Sequence, residues 1–139
     1  MLFRSAKKSF FFSANSSEIK NFKGEVEISS SLNNFKLIDV SGPVSINTIG
    51  GNVTVEFNKT IPNNLYSIYS NNGFIDITLP NSSSLSVDAT ASEILSDLDF
   101  DIISEQVNNR TQQMSLKLGT GKVKMKLDAD LGNIYLRKQ

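Results

Sequence analysis

A short pattern recurs six times along the chain: a glycine, any residue, an aliphatic residue, any residue and a second apolar residue. The copies begin at Gly24, Gly42, Gly51, Gly73, Gly121 and Gly132. Because successive side chains of a strand point to opposite faces, each copy predicts a strand with one buried face and one solvated face. The glycine before each strand predicts a corner, where a positive φ or a close backbone approach excludes other residues.

The repeat restricts the chain to a small set of all-β folds. Further alternating runs at residues 35–40 and 85–89 lie between the copies, and no run of ten residues has a helical period. Short strands with corner glycines fit a sandwich, a barrel or a solenoid, and a self-similar unit favours the solenoid. We therefore predict a β-solenoid of short stacked coils, with an antiparallel β-sandwich as the alternative.

The length predicts a single domain over residues 1–139. Residues 20–139 form its repeat region, and residues 1–19 are predicted to be an N-terminal cap or a first strand. Within that segment the aromatic run Phe10–Phe12 is expected to cover the first coil, whose core would otherwise be exposed.

The composition excludes several classes of function. The 139 residues include 14 basic and 14 acidic side chains, no Cys and no His. These absences exclude disulfides, thiol nucleophiles, Ser-His-Asp triads, and metal sites built from imidazole or thiolate. The zero net charge gives no electrostatic basis for nucleic acid as the main partner. We expect no cofactor and no nucleic-acid partner.

The sequence shows no membrane segment and no signal peptide. A transmembrane helix needs about 18 apolar residues, and a signal peptide needs an apolar run of about 7–15. The N-terminal aromatic run is shorter than either. A cytoplasmic location therefore stays open beside any surface location.

Four segments carry a resemblance to a known family, and they are LIDVSGPVSINTIGGNVTVEF, SNNGFIDITLP, LSDLDFDI and LKLGTGKVKMKLDADLGNIYLRK. The last is the most specific, with two glycine corners and a closing Ile-x-Leu-Arg-Lys strand. Over about residues 20–139 the chain resembles the putative-adhesin family of bacterial domains. The resemblance implies a right-handed β-solenoid and an adhesin-like role at the cell envelope or surface, with a glycan or a protein as partner. It transfers no catalytic residue.

Outward aromatic residues are the ligand-binding candidates. Phe74 and Tyr135 occupy solvated positions of the repeat, and Tyr69 or Tyr66 is expected to join them. An exposed aromatic row can serve as a platform for a glycan or a peptide. The alternative is that each ring covers a corner or packs beneath a loop.

Charged residues form two further rows. Three aspartates alternate with apolar residues at Asp97, Asp99 and Asp101. They are weak metal candidates or carboxylates of a polysaccharide-acting enzyme, and a solvated strand face is the simpler interpretation. Three lysines follow at a separation of 25 residues, at Lys122, Lys124 and Lys126. If the two segments were adjacent parallel rungs, the rows would form a ladder of ion pairs.

The last strand is expected to present an open edge, where Arg137 and Lys138 would discourage pairing with another chain. A free end strand would also serve self-association. The polar stretch Ser104–Gln113 is predicted to be the longest loop.

Together these observations predict a non-enzymatic, adhesin-like domain of the envelope or cell surface that binds a ligand or has a structural role. The alternatives are a self-associating β-solenoid scaffold and, less favoured, a polysaccharide-acting enzyme that uses surface carboxylates.

Overall fold

The computed structural model describes the backbone of residues 7–12, 16–31, 34–58, 66–80 and 84–139, and the side chains within these ranges except those of residues 7–17, 30–31 and 66. All the secondary structure in these ranges is β-strand. No helix capable of crossing a membrane occurs among the described residues. The strands are Lys7–Phe12 (β1), Ser16–Lys20 (β2), Glu25–Ser31 (β3), Asn34–Val40 (β4), Val44–Ile49 (β5), Val53–Phe57 (β6), Tyr66–Asn71 (β7), Ile75–Leu79 (β8), Leu85–Ser96 (β9), Asp101–Val107 (β10), Gln112–Leu118 (β11) and Val123–Lys138 (β12).

The first eight strands form four stacked coils of two strands each. Strands β1, β3, β5 and β7 pair in parallel as a first row, and β2, β4, β6 and β8 pair in parallel as a second row. The register sets Ile28 beside Ile46 in the first row, and aligns Leu37, Val55 and Ile77 in the second. These side chains are buried between the two rows. The fold is therefore all-β, a curled parallel sheet consistent with a solenoid-like fold rather than an antiparallel sandwich.

The last strand of the chain is inserted into the stack. The first half of β12, Met125–Asp130, pairs with β7, and its second half, Ile134–Lys138, pairs with β8. On its other side β12 pairs in parallel with β9, through both halves. The expectation of an open edge at the last strand therefore fails, because β12 lies between the fourth coil and β9. Arg137 and Lys138 pair with Thr78 and Leu79 of β8, and the pairing with β9 ends at Leu136.

An antiparallel hairpin extends the first row beyond the last coil. Strand β11 pairs with the first half of β9, and β10 pairs with β11. The segment predicted to be a polar loop is thus mostly strand, since Ser104 lies in β10 and Gln112 in β11. The turn is closed by a hydrogen bond from the Asn108 N–H to the Thr111 carbonyl at 2.8 Å. In the link before β10, Leu98 is buried against the core.

Glycines stack directly on one another at the corner between the two rows. A Cβ atom on Gly73 would lie 2.0 Å from the carbonyl oxygen of Gly51, and one on Gly132 would lie 2.0 Å from that of Gly73. Such overlap leaves no room for any side chain. The residues before the last two glycines, Asn72 and Leu131, have positive φ values of 67° and 64°. The corner geometry therefore recurs in β12 although this strand is remote in sequence.

The remaining predicted corner glycines divide between two environments. Gly24 and Gly42 stack at the opposite corner, where a Cβ on Gly42 would lie 1.5 Å from the carbonyl oxygen of Gly24. Gly121 departs from the expectation, because it lies in the turn between β11 and β12 and not at a coil corner. It has a φ of 70°, and its N–H donates to the Leu118 carbonyl at 3.3 Å. A tight turn and a coil corner require glycine for related reasons, so the repeat pattern does not separate them.

Gly73→Ala is expected to lower the free energy of unfolding by about 3 kcal/mol or more, because the added methyl group overlaps a backbone oxygen that cannot move alone. Asn72→Gly is the matched control, since glycine accepts the same positive φ, and it should change stability by about 0.5 kcal/mol or less. Urea unfolding of both variants measures the difference. Equal stability of Gly73→Ala and the wild type would contradict the stacked corner.

Candidate functional site

The structure brings Phe74 and Tyr135 together on the outer face of the second row. Phe74 lies just before β8, and Tyr135 lies in the half of β12 that pairs with β8, opposite Asp76. Their ring centroids are 6.1 Å apart, and the ring planes meet at 77°. This edge-to-face arrangement is favourable for aromatic pairs. Both side chains are half-buried, so each ring keeps an accessible surface.

A tethered arginine supports this pair. The guanidinium carbon of Arg137 lies 5.2 Å from the Tyr135 ring centroid, and its Nε donates a hydrogen bond of 2.8 Å to Asp76 Oδ1. That hydrogen bond, and next the charge of Asp76, raise the pKa of the guanidinium above its ordinary value. The contact holds Arg137 against the ring. We call Phe74, Asp76, Tyr135 and Arg137 the aromatic cluster.

A groove of about 380 Å³ runs beside Phe74 over the outer face of the second row. Phe35 is among its lining residues, although its side chain belongs to the core. The other lining residues are Glu18, Asn34, Lys36, Asn52, Thr54 and Phe74. They come from successive coils, because their strands are parallel and in register. The volume lies at the lower end of the roughly 300–1,000 Å³ typical of small-molecule sites.

Two asparagines form a ladder at the edge of this groove. The N–H of Asn52 donates to Asn34 Oδ1 at 2.9 Å, and the N–H of Phe74 donates to Asn52 Oδ1 at 3.0 Å. A main-chain N–H requires an oxygen acceptor, so each amide is oriented with its Nδ2 group away from the ladder. Sequence reasoning missed these residues. Their signal is an asparagine directly before the alternating run in two successive coils.

Tyr69 belongs to a different surface. It lies in β7 of the first row, paired with Asn47 of β5 and Asp128 of β12. The corner separates this row from the aromatic cluster, so Tyr69 does not join Phe74 and Tyr135. The side chain of Tyr66, and those of the Phe10–Phe12 run, lie outside the described residues.

The three aspartates do not share one strand face. Asp97 and Asp99 lie in the link after β9, and Asp101 begins β10, opposite Lys117 of β11. All three are exposed. Within the described ranges no group of three or more acidic residues is arranged to hold a metal ion. The alternating pattern was misleading because the chain leaves the strand at Asp97.

The expected ladder between the aspartates and the lysines is absent from the described strands. Lys124 and Lys126 pair with Ser86 and Asp88 in the first half of β9. The physical reason is the position of β10 in the sheet. Strand β10 pairs antiparallel with β11, and β9 and β11 both lie between β10 and β12, so the two charged segments are not on neighbouring strands.

Asp128 lies on the outer face of the first row, opposite Tyr69, and the pKa of its carboxyl group is raised. Partial burial raises the pKa of Asp128 most, the nearby carboxylate of Asp130 raises it further, and Lys126 opposes both. The charged form of Asp128 is therefore disfavoured in the folded protein.

No family model and no curated protein matches the sequence. Among solved structures, the fold is similar to that of a putative cell adhesion protein from Clostridium sporogenes ATCC 15579, with a TM-score of 0.56 at 18% identity. The match covers 84% of this chain and 56% of that protein, so this chain spans little more than half of its length. At this identity the similarity concerns the fold.

Asp128→Asn is expected to stabilise the protein at pH 7, by about 0.5 kcal/mol or less because the group is largely solvated. A carboxyl group whose pKa is higher in the folded protein binds more protons in the folded state than in the unfolded state. The stability of the wild type therefore falls as the pH rises from the pKa of the unfolded state, about 3.9, through the pKa of the folded state. The gain should therefore vanish below about pH 3.9. Urea unfolding at pH 3.5 and pH 7 measures it, with Asp99→Asn as an exposed control. A gain of equal size at both pH values would refute this origin.

Proposed function

We propose that the protein is a non-enzymatic, adhesin-like binding domain of a bacterial cell envelope or surface. It acts through the outer face of its second row, where the aromatic cluster borders the groove. The proposal places the domain in the adhesin-like group that its repeat segments resemble.

The aromatic cluster is the observation that carries this proposal. Phe74 and Tyr135 keep accessible ring surface, yet they are held in place by contact with each other and by the tethered Arg137. Rings that are fixed before binding lose little conformational freedom when a ligand docks. Aromatic and arginine side chains are also the residues most often found at the energetic centre of binding surfaces.

Two further observations support a binding role over an enzymatic one. The aspartates considered for catalysis are exposed and divided between a link and a strand, whereas a glycosidase holds two carboxyl groups across one bond. The structurally similar Clostridium protein is described as a putative cell adhesion protein. That description is consistent with an adhesin-like role for this chain.

A self-associating scaffold is the alternative function. The simplest form of this alternative requires a free last strand, but β12 is paired on both sides. Association would instead need an end strand, which is β1 or β2 at the start of the stack or β10 at its far end, each with a neighbour on one side within the described strands. All three strands carry charged residues, and β10 also has a bulge at Ile103, which are features that discourage pairing between edges. We therefore favour the binding domain.

Beads coated with the purified protein are predicted to be retained under flow on at least one layer of a panel of immobilised mucins and matrix proteins. Phe74→Ala and Tyr135→Ala should each lower retention about tenfold or more, because loss of an anchoring ring typically costs about 2 kcal/mol. Tyr69→Ala removes a ring from the other outer face and should bind as the wild type does. Failure of the wild type on every layer, or full retention by folded Phe74→Ala, would refute the proposed site.

The surface location has its own test. Protease added to intact cells that produce the protein should degrade it before lysis, because an adhesin must reach the exterior. Protection until the cells are lysed would contradict a location at the cell surface.

A further inference from the structure

We propose that the groove beside Phe74 binds an uncharged saccharide chain, with the Phe74 ring against a sugar face and the amides of Asn34 and Asn52 bonded to sugar hydroxyls. This inference rests on the proposed binding function and names the ligand class of the same site. It follows from the fixed donors, the balanced charges and the orientation of the ring.

The hydrogen-bond donors of the groove are oriented before a ligand binds. Each Oδ1 atom of the asparagine ladder accepts a main-chain N–H, which leaves the Nδ2 groups of Asn34 and Asn52 as the donors on offer. Neighbouring coils repeat at about 4.8 Å, so the two amides present donors at a regular spacing. The Thr54 hydroxyl lies in the same groove and can both donate and accept. Such a set suits the hydroxyl groups of a sugar, which also donate and accept.

The charges of the groove balance. Lys36 and Glu18 occupy paired positions on neighbouring strands and both line the groove. Glu18 also meets Lys20, with 3.0 Å between its Oε1 and the Lys20 Nζ. Lys20 lies outside the lining, and the lining itself has one charge of each sign, so an acidic saccharide gains little attraction from it and is repelled by the Glu18 carboxylate. An uncharged saccharide meets one donor and one acceptor instead.

The Phe74 ring supplies the apolar wall. Its edge-to-face contact with Tyr135 sets its orientation, and the hydrogen bond from its own N–H to Asn52 fixes its backbone. One half-buried ring beside a row of polar groups matches the two faces of a sugar ring, which carries C–H groups on its face and hydroxyls at its rim. Ring, amides and hydroxyl therefore act on one ligand at once.

A peptide fits this groove less well. Extended peptides commonly bind by adding a strand to a free sheet edge. Three strands beneath the groove, β4, β6 and β8, each have a partner on both sides, so their main-chain groups are already engaged. Strand β2, which contributes Glu18, has a neighbour on one side within the described strands, but a peptide strand added there would lie at the end of the sheet remote from Phe74. A ligand that reaches Phe74 is therefore recognised through side chains, which favours a saccharide over a peptide backbone.

The test is a printed panel of neutral oligosaccharides of glucose, galactose, mannose and N-acetylglucosamine, beside sialylated and glucuronic acid-containing ones, probed with the labelled full chain. The wild type is expected to bind neutral members. Asn52→Asp keeps an oxygen acceptor for the Phe74 N–H and loses the Nδ2 donor, and Thr54→Val loses the hydroxyl. Each should lower binding about tenfold. Asn47→Asp makes the same chemical change on the outer face of the first row, where Asn47 is exposed, and should leave binding unchanged.

Three results would overturn the inference: no saccharide bound, binding restricted to acidic members, or wild-type binding by Asn52→Asp and Thr54→Val. Thermal unfolding of each variant shows whether a loss of binding comes from a loss of fold. Bead retention that depends on Phe74 but occurs without any saccharide binding would refute the saccharide and keep the binding function. Loss of both readouts in the wild type would refute both proposals.

Discussion

The close contact of backbone with backbone at the corners sets the geometry of the whole sheet. Each of Gly73 and Gly132 lies so near the carbonyl of the glycine beneath it that a methyl group would overlap the oxygen. Coils that meet this closely can stack in only one register, because a shift of one residue would bring a Cβ against the backbone and turn every aliphatic side chain to solvent. The buried columns, the asparagine ladder and the positions of the outer side chains all follow from this register. Inside the same corner, the small residues Thr48, Ser70 and Ala129 keep the turn narrow.

The insertion of β12 creates the candidate site. Gly132 stacks on Gly73, so the two halves of β12 lie directly beside β7 and β8. Strand β9 then pairs with the other side of β12. Tyr135 and Arg137 thereby reach Phe74 and Asp76, although Asp76 precedes Arg137 by 61 residues. The site is thus a property of the topology. Any arrangement that stacked the coils in simple chain order would separate the two rings and release Arg137 from its carboxylate.

Much of the fold follows from local patterns, and much of the site does not. The alternation around Val53 and Ile75, and the corner glycines, predict parallel half-buried strands because period-two burial and steric exclusion act within a few residues. The position of β12 depends on contacts between distant segments, so the open edge and the ladder of Asp97 to Lys122 were predicted wrongly. Phe74 and Tyr135 were recognised as outward residues, but their contact depends on that same topology. Asn34 and Asn52 each stand directly before an alternating run, but the hydrogen bonds of their ladder follow from this pattern only once the register of the stacked coils is known.

The order of the strands is the central claim, and cysteine pairs test it directly because the natural chain has no Cys. Lys126 of β12 is paired with Ser67 of β7 on one side and with Asp88 of β9 on the other. Adjacent strands lie about 4.8 Å apart, within disulfide reach, whereas Ser67 and Asp88 are separated by about twice that distance, which is too far. Mild oxidation should therefore cross-link Ser67→Cys/Lys126→Cys and Asp88→Cys/Lys126→Cys, but not Ser67→Cys/Asp88→Cys. Efficient cross-linking of the last pair, with failure of the first two, would show that β9 stacks directly on β7 and would contradict both the insertion and the site it builds.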